Sequence, residues 1–201
     1  MVSHVDPSQM MFETNKPFHT TAIFRMMIMS MLTSDRTHGG VSLSSVLTTA
    51  VLAGAVSLGV WEIWSKVLAP FYMGGSLSPV GLVKSSLGIG KDTFGAVGAA
   101  SGRAVGNAVA NGMHMFTGLL AYPLAYMLVA RPVSNAVLPN LPWWATGAVF
   151  GAALYVFAMY IMAHFFAGFP PFMGFNALSQ ASLVGHVALG IAIAGVVEKR
   201  S

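Results

Sequence analysis

Charge is what this sequence has least of. Only 8% of its 201 residues are Asp, Glu, Lys or Arg, and 55% are apolar, whereas a soluble domain carries roughly 25% charged residues. That composition excludes a soluble enzyme and reads as a membrane protein. Cysteine is absent, which removes disulfides, thiolate zinc sites, iron–sulfur clusters and covalently attached c-type haem; a bound cofactor would need His, Met or oxygen ligands. Ten Lys and Arg against six acids give a net charge of +4, but the basic residues stand singly between apolar segments. No basic stripe is left for a nucleic acid to follow. Glu62 is the one acid inside an apolar stretch, and neither a Gly-x-Ser-x-Gly elbow nor a His-Glu-x-x-His helix occurs. Hydrolysis therefore has no candidate residues.

What the chain does have is long apolar runs. A hydrocarbon core of about 30 Å needs about 20 apolar helical residues at about 1.5 Å each. Four stretches meet that length: Ser44 to Ala69, stopped by Pro70; Asn107 to Ala130, stopped by Arg131 and Pro132; Trp143 to Gly168, opened by the interfacial pair Trp143 and Trp144; and Ala177 to Val197, closed by Glu198, Lys199 and Arg200. Pro123, inside the second, is tolerated in a membrane helix when the carbonyl it frees finds another partner. The expected fold is all-α and polytopic, with an amino-terminal arm over residues 1–43 and a four-helix transmembrane domain over 44–201. Four spans return both ends of the chain to one side. That side holds Lys16, Arg25, Arg36, Arg131, Lys199 and Arg200, against Lys66, Lys84, Lys91 and Arg103 on the other, a bias that puts both ends in the cytoplasm.

The arm does not read as a signal peptide, because His4, Asp6, Glu13 and Lys16 interrupt it and no small-residue cleavage pattern follows an apolar core. Ala22 to Leu32 is apolar but too short to span and is broken by Arg25, which suits a helix lying in the interface or against a neighbouring subunit. Its methionines Met26, Met27, Met29 and Met31 fit adaptable packing better than copper ligation. Between the first two spans, Gly95, Gly98, Gly102 and Gly106 form a smooth helical ridge suited to close backbone packing. The segment Gly88-Ile-Gly90-Lys91-Asp92-Thr93 fails as a phosphate loop, since Asp92 replaces the required hydroxyl and no glycine stands five positions before Gly90.

The two halves of the chain echo one another. Pro70-Phe71-Tyr72-Met73-Gly74 ends the first span and Pro171-Phe172-Met173-Gly174 follows the third, while the second carries His114 with Gly118 four residues on, and the fourth His186 with Gly190. The shared order predicts a parallel repeat of two helices about an axis along the membrane normal. It also places Glu62, His114, His164 and His186 in one leaflet, away from the chain ends. Ionisable groups inside spans are costly in lipid and mark bundle-facing or functional positions. Each has a structural alternative. Glu62 can pair with Lys66 one turn on, His164 can hydrogen-bond a headgroup or a carbonyl, and each of His114 and His186 can serve a tight helix contact. The glycine four residues after each of these last two clears space on the same helix face, for a neighbouring helix or for a tetrapyrrole, so bis-His haem ligation is the sharper alternative. Met113 and Met115 flank His114 but point about 100° away from it in opposite directions, which argues against copper.

Gly147-Ala-Val-Phe-Gly151, the aromatic and proline break from Gly168 to Gly174, and Leu183-Val-Gly-His186-Val-Ala-Leu-Gly190 together resemble a family of small multi-pass bacterial inner-membrane proteins. The resemblance covers roughly residues 45 to 198 and implies a four-helix membrane fold without an assigned activity; the matching residues Gly147, Gly151, His114, Gly118, His186 and Gly190 bring no role with them, and the extended, Met-rich arm is a departure. On their own pattern, Gly118, Gly190, Gly147 and Gly151 are expected to be helix-packing positions. Three functions follow as expectations. The first is a non-catalytic accessory subunit of a bacterial inner-membrane assembly for respiratory or photosynthetic electron transfer, with other membrane subunits and lipid as its neighbours. The second is a b-type haem or other tetrapyrrole-binding subunit using His114 and His186. The third is a small transporter or proton path centred on Glu62.

Overall fold

The computed structural model describes residues 42–88 and 99–201. Within them the chain is helical, and four helices are long and apolar enough to cross a membrane: α1 (Leu43–Met73), α2 (Val105–Val137, entered from a helical run that begins at Ala99), α3 (Trp143–Phe166) and α4 (Ala177–Arg200). A short connecting helix, Pro79–Ser86, follows α1; the Ser78 hydroxyl accepts the Gly81 N–H at its start. The arm, with Arg25 and the methionine cluster, lies outside the described residues, as do Gly95, Gly98 and most of the segment after Gly88.

Side-chain bonds between helices fix the antiparallel order. At one end Arg131 donates to both oxygens of Glu198 at 2.7 and 3.0 Å, Arg200 donates to the Thr49 hydroxyl at 3.3 Å, and the Ser134 and Thr146 hydroxyls meet at 2.9 Å. At the other end the Trp64 indole donates to the Ala181 carbonyl at 2.8 Å, Tyr155 and Ser179 bond through their hydroxyls at 2.7 Å, and Tyr72 donates to Gln180. The most enclosed helix is α4, with half of its apolar window buried against 17% for α2, so α4 is the axis of the bundle and α2 its outer member.

Close approach depends on glycine. A Cβ on Gly190 would fall 2.7 Å from the Gly151 nitrogen and against the Gly147 carbonyl, and one on Gly147 would fall 2.8 Å from the Gly190 carbonyl oxygen. Here α3 and α4 touch backbone to backbone, which is the way small residues join helices where lipid supplies no hydrophobic drive. Gly54 of α1 takes the backbone of Leu119 in the same manner. Leu119 stands four residues before Pro123, so its carbonyl is the one that proline deprives of an amide donor; the Gly54 backbone is what it meets.

The first two helices run past the prolines expected to stop them, and the reason is common to three prolines. Pro70, Pro123 and Pro132 each occupy the second position of a fresh α-helical segment, and each segment is preceded by a five-residue π-helical turn, Trp64–Leu68, Thr117–Ala121 and Tyr126–Ala130. The wider turn sets the preceding amides on carbonyls five residues back, as Ala69 does on Trp64, and leaves room for the proline ring. Pro70 therefore does not end α1, which runs on to Met73, and Arg131 and Pro132 do not end α2, which runs to Val137. At the other boundaries α3 stops at Phe166, short of Gly168, and α4 continues through the basic cluster to Arg200.

The expected two-fold repeat is not carried into the packing. The Pro70 segment is right-handed and ends on Gly74 at φ 71°, whereas Phe172, Met173, Gly174 and Phe175 form a left-handed turn with φ between 49° and 66°. Helix α1 packs along α4, while the pairing of α2 with α3 that the repeat would require is made at places such as Tyr126 on Phe150 and Ser134 on Thr146, towards one end. Three non-glycine residues in left-handed geometry cost about 1–2 kcal/mol each. Aromatic stacking holds them: the Phe172 ring lies 5.6 Å from Tyr155, 5.3 Å from Tyr160 and 5.0 Å from Phe175.

Candidate functional site

The four ionisable residues expected in one leaflet share a half of the bundle but occupy three separate places. His186 is the most enclosed, 7% exposed where α4 crosses α1 and α3. Its Nδ1 lies 2.8 Å from the Ser182 carbonyl oxygen, and because a carbonyl only accepts, that nitrogen carries the proton. The imidazole stands edge-on to Trp61, with ring centroids 4.8 Å apart, and to Tyr155 at 6.3 Å. Glycines on either side make the crossing tight. A Cβ on Gly151 would strike the His186 carbonyl, and one on Gly185 would come 2.6 Å from the Trp64 ring and 2.8 Å from that of Trp61.

Glu62 follows Trp61 directly yet leaves the core. Its carboxylate pairs with Lys66 one turn along α1, and the two side chains are 44% and 68% exposed. His114 lies on α2 within the electrostatic reach of Glu62, and its Nε2 is buried without a hydrogen-bond partner among the described residues. His164 remains at the π-helical end of α3, where Nδ1 donates to the Phe169 carbonyl at 2.8 Å beside the rings of Tyr160 and Phe165. The backbone carbonyls of that π-helical stretch find other donors, among them the Ser86 hydroxyl on Met162 at 3.2 Å. Among the described residues no group of three His, Asp or Glu side chains comes together to hold a metal ion.

Of the expected packing glycines, Gly147, Gly151 and Gly190 meet backbone, while Gly118 meets a side chain, with its Cβ direction 2.5 Å from a Leu58 methyl. Sequence reasoning missed Gly54 and Gly185, which make contacts of the same closeness, and it missed the run of rings from Trp61 through His186, Tyr155 and Phe172 to Tyr160. The proline pair at 170–171 signals a break but not the left-handed turn that carries Phe172 onto two tyrosines.

Four apolar helices, joined through backbone contact at glycine and through hydrogen bonds between polar side chains, define a multi-pass helical membrane protein. No family model, no curated protein and no solved structure matches the chain. The resemblance to small four-helix bacterial membrane proteins thus rests on the residues quoted for it.

Proposed function

We propose that this chain is a non-catalytic accessory subunit of a larger assembly in a bacterial inner membrane, one that carries out respiratory or photosynthetic electron transfer, with both ends of the chain on the cytoplasmic side. One observation supports this reading above others: hydrogen bonds between polar side chains, and the rings around His186, hold helix to helix inside the bundle. Trp64 bonds across to α4, Tyr155 bonds to Ser179, and Arg131 closes α2 onto α4 through Glu198, while His186, bonded to Ser182 within α4, sets its ring between Trp61 of α1 and Tyr155 of α3. Groups used in this way are not free to bind or carry a substrate. The outer position of α2, with 17% of its window buried, leaves a spanning helix available to a neighbouring subunit.

Bis-His haem ligation gains no support from the same packing. His186 belongs to the crossing of α1, α3 and α4 and His114 to the side of α1 that meets α2, and the space beside the His186 ring is filled by Trp61 and Tyr155. A proton path through Glu62 gains none either, since its carboxylate is spent on Lys66 at the outer surface. Gentle extraction from native membranes, followed by identification of what co-purifies in fixed stoichiometry, tests the proposal. Other membrane subunits at a constant ratio are the expected result. A chain that purifies alone and supports ligand-dependent flux in liposomes would overturn it.

A further inference from the structure

We infer that the short helix Pro79–Ser86 is a hinged strap that closes the gap between the first half of α2 and the π-helical end of α3, anchored at Leu77 and released at its far end. The helix packs against Ala99–Phe116 on one side and against Phe157–Phe166 on the other. Among the described residues, that half of α2 makes no other extensive contact with a different helix. The seat on α2 is small: Gly106 and Ala110, four residues apart on one face, are buried while their neighbours are exposed. About one turn beyond Ala110 on the same face lies His114, whose Nε2 is buried without a hydrogen-bond partner among the described residues. A buried polar atom left in that state is costly. A strap that opens lets water reach it.

The short helix is held unevenly. Just before it, Leu77 is buried in the core and fixes one end. From Pro79 to Ser86 no residue is buried. Two side-chain bonds hold this stretch down: Lys84 Nζ donates to the Asn107 side-chain oxygen at 2.9 Å, and the Ser86 hydroxyl donates to the Met162 carbonyl at 3.2 Å. The first bond is exposed and the second partly buried, so water can take the place of either partner. At the far end Leu87 is 43% exposed, and Gly88 leaves the helix at φ 63°.

Segments that open locally are those with few buried apolar contacts and with hydrogen bonds near solvent. Pro79–Ser86 has both properties, whereas α3 and α4 meet backbone to backbone at Gly151 and Gly190. The short helix also keeps its own end bonds, the Ser78 hydroxyl accepting the Gly81 N–H and the Leu87 amide donating to the Val83 carbonyl at 3.0 Å, so it opens as one piece about Leu77. Opening uncovers Ala110 and gives water a way towards His114 while the four spanning helices stay joined. The strap concerns access to the bundle, and it stands or falls separately from any role in a larger assembly.

The chain has no cysteine, so single cysteines in the full-length protein report on their own positions. Ala110→Cys reports the seat under the strap, Ser85→Cys the exposed surface, and Ser57→Cys the buried line of α1. The probe is a charged, water-soluble methanethiosulfonate applied to membranes opened to both sides. Ala110→Cys is expected to react well below the rate of Ser85→Cys but measurably. Lys84→Met and Ser86→Ala each remove one bond from the strap and should speed that reaction about threefold singly and about tenfold together. Ser57→Cys should stay unreactive throughout, which a protein that merely misfolds would not show. Three results would overturn the strap: an Ala110→Cys rate that the two substitutions leave unchanged, one that matches Ser85→Cys before any bond is removed, or a Ser57→Cys rate that rises in step with it.

Discussion

Replacing Gly190 by alanine adds one methyl group where two backbones touch. The new Cβ would stand 2.7 Å from the Gly151 nitrogen and 2.8 Å from its α-carbon, and closer still to the Gly147 carbonyl. None of these atoms belongs to a side chain that can rotate away, so α3 and α4 must part by about 1 Å to restore ordinary contact at about 3.5 Å. A gap of that size forfeits about a quarter to a half of each dispersion contact along the seam, and crowding of a packed interior typically costs about 1–3 kcal/mol. The seam is long, so Gly190→Ala is expected to lose about 2–3 kcal/mol, equivalent to roughly 30- to 150-fold in the unfolding equilibrium. Titration from mild detergent into SDS, followed by circular dichroism, measures it. Two glycines calibrate the result. Gly118→Ala meets the tip of Leu58, which can turn aside, and should lose about 1 kcal/mol; Gly112→Ala is helical and meets nothing within 4 Å, and should gain roughly 0.5–1 kcal/mol. If Gly190→Ala unfolds with Gly112→Ala instead of well below it, the backbones of α3 and α4 are not in contact and the reasoning fails.

Other outcomes follow from the same packing. His186→Ala removes a ring enclosed by Trp61 and Tyr155 and should cost about 2–4 kcal/mol in the same titration, and a loss under about 1 kcal/mol would show that the ring is not enclosed. Trp64→Phe keeps the ring but removes the bond to Ala181, for a loss of about 1 kcal/mol; no change would mean that bond is absent in the membrane. Arg131→Met leaves Glu198 partly buried without its partner and should destabilise the protein, whereas Arg131→Met combined with Glu198→Met should recover most of the loss, and additive losses would contradict this. Gly174→Ala meets no atom but must adopt φ 66°, so it should cost about 1 kcal/mol through backbone strain alone; a gain would show that the turn is not left-handed.

The four spans were legible because length and apolarity are summed over twenty or more residues, and no single contact is needed to see them. Their ends were less so. Proline reads as a stop from local sterics, but Pro70, Pro123 and Pro132 each follow a π-helical turn that moves the opposing carbonyl aside, and nothing in residue spacing announces that turn. Gly147, Gly151 and Gly190 could be picked out because glycines recur at helical spacing, whereas Gly54 sits in a run of small residues where alanine would look equivalent; only the approach of Leu119 sets it apart. Depth placed Glu62, His114, His164 and His186 in one half of the bundle, but rotation about each helix axis decides what a side chain faces, and rotation is fixed by contacts between helices. For that reason Trp61 and Glu62, adjacent in sequence, ended in the core and at the outer surface. The echo of Pro-Phe-Met-Gly misled for a similar reason: a motif of a few residues does not carry its handedness, and aromatic neighbours available only to the second copy hold Phe172 to Phe175 in the left-handed region.

Side chains such as Trp64, Tyr155 and His186 serve to join helices and not as ligands, and the absorption spectrum of the chain purified from its native membrane tests that most directly. No Soret band is expected from this chain once companion subunits are removed, nor any change of its spectrum in His114→Ala or His186→Ala. A Soret band that stays with the isolated chain and disappears in both variants would contradict it, and would make the two histidines a pair of haem ligands.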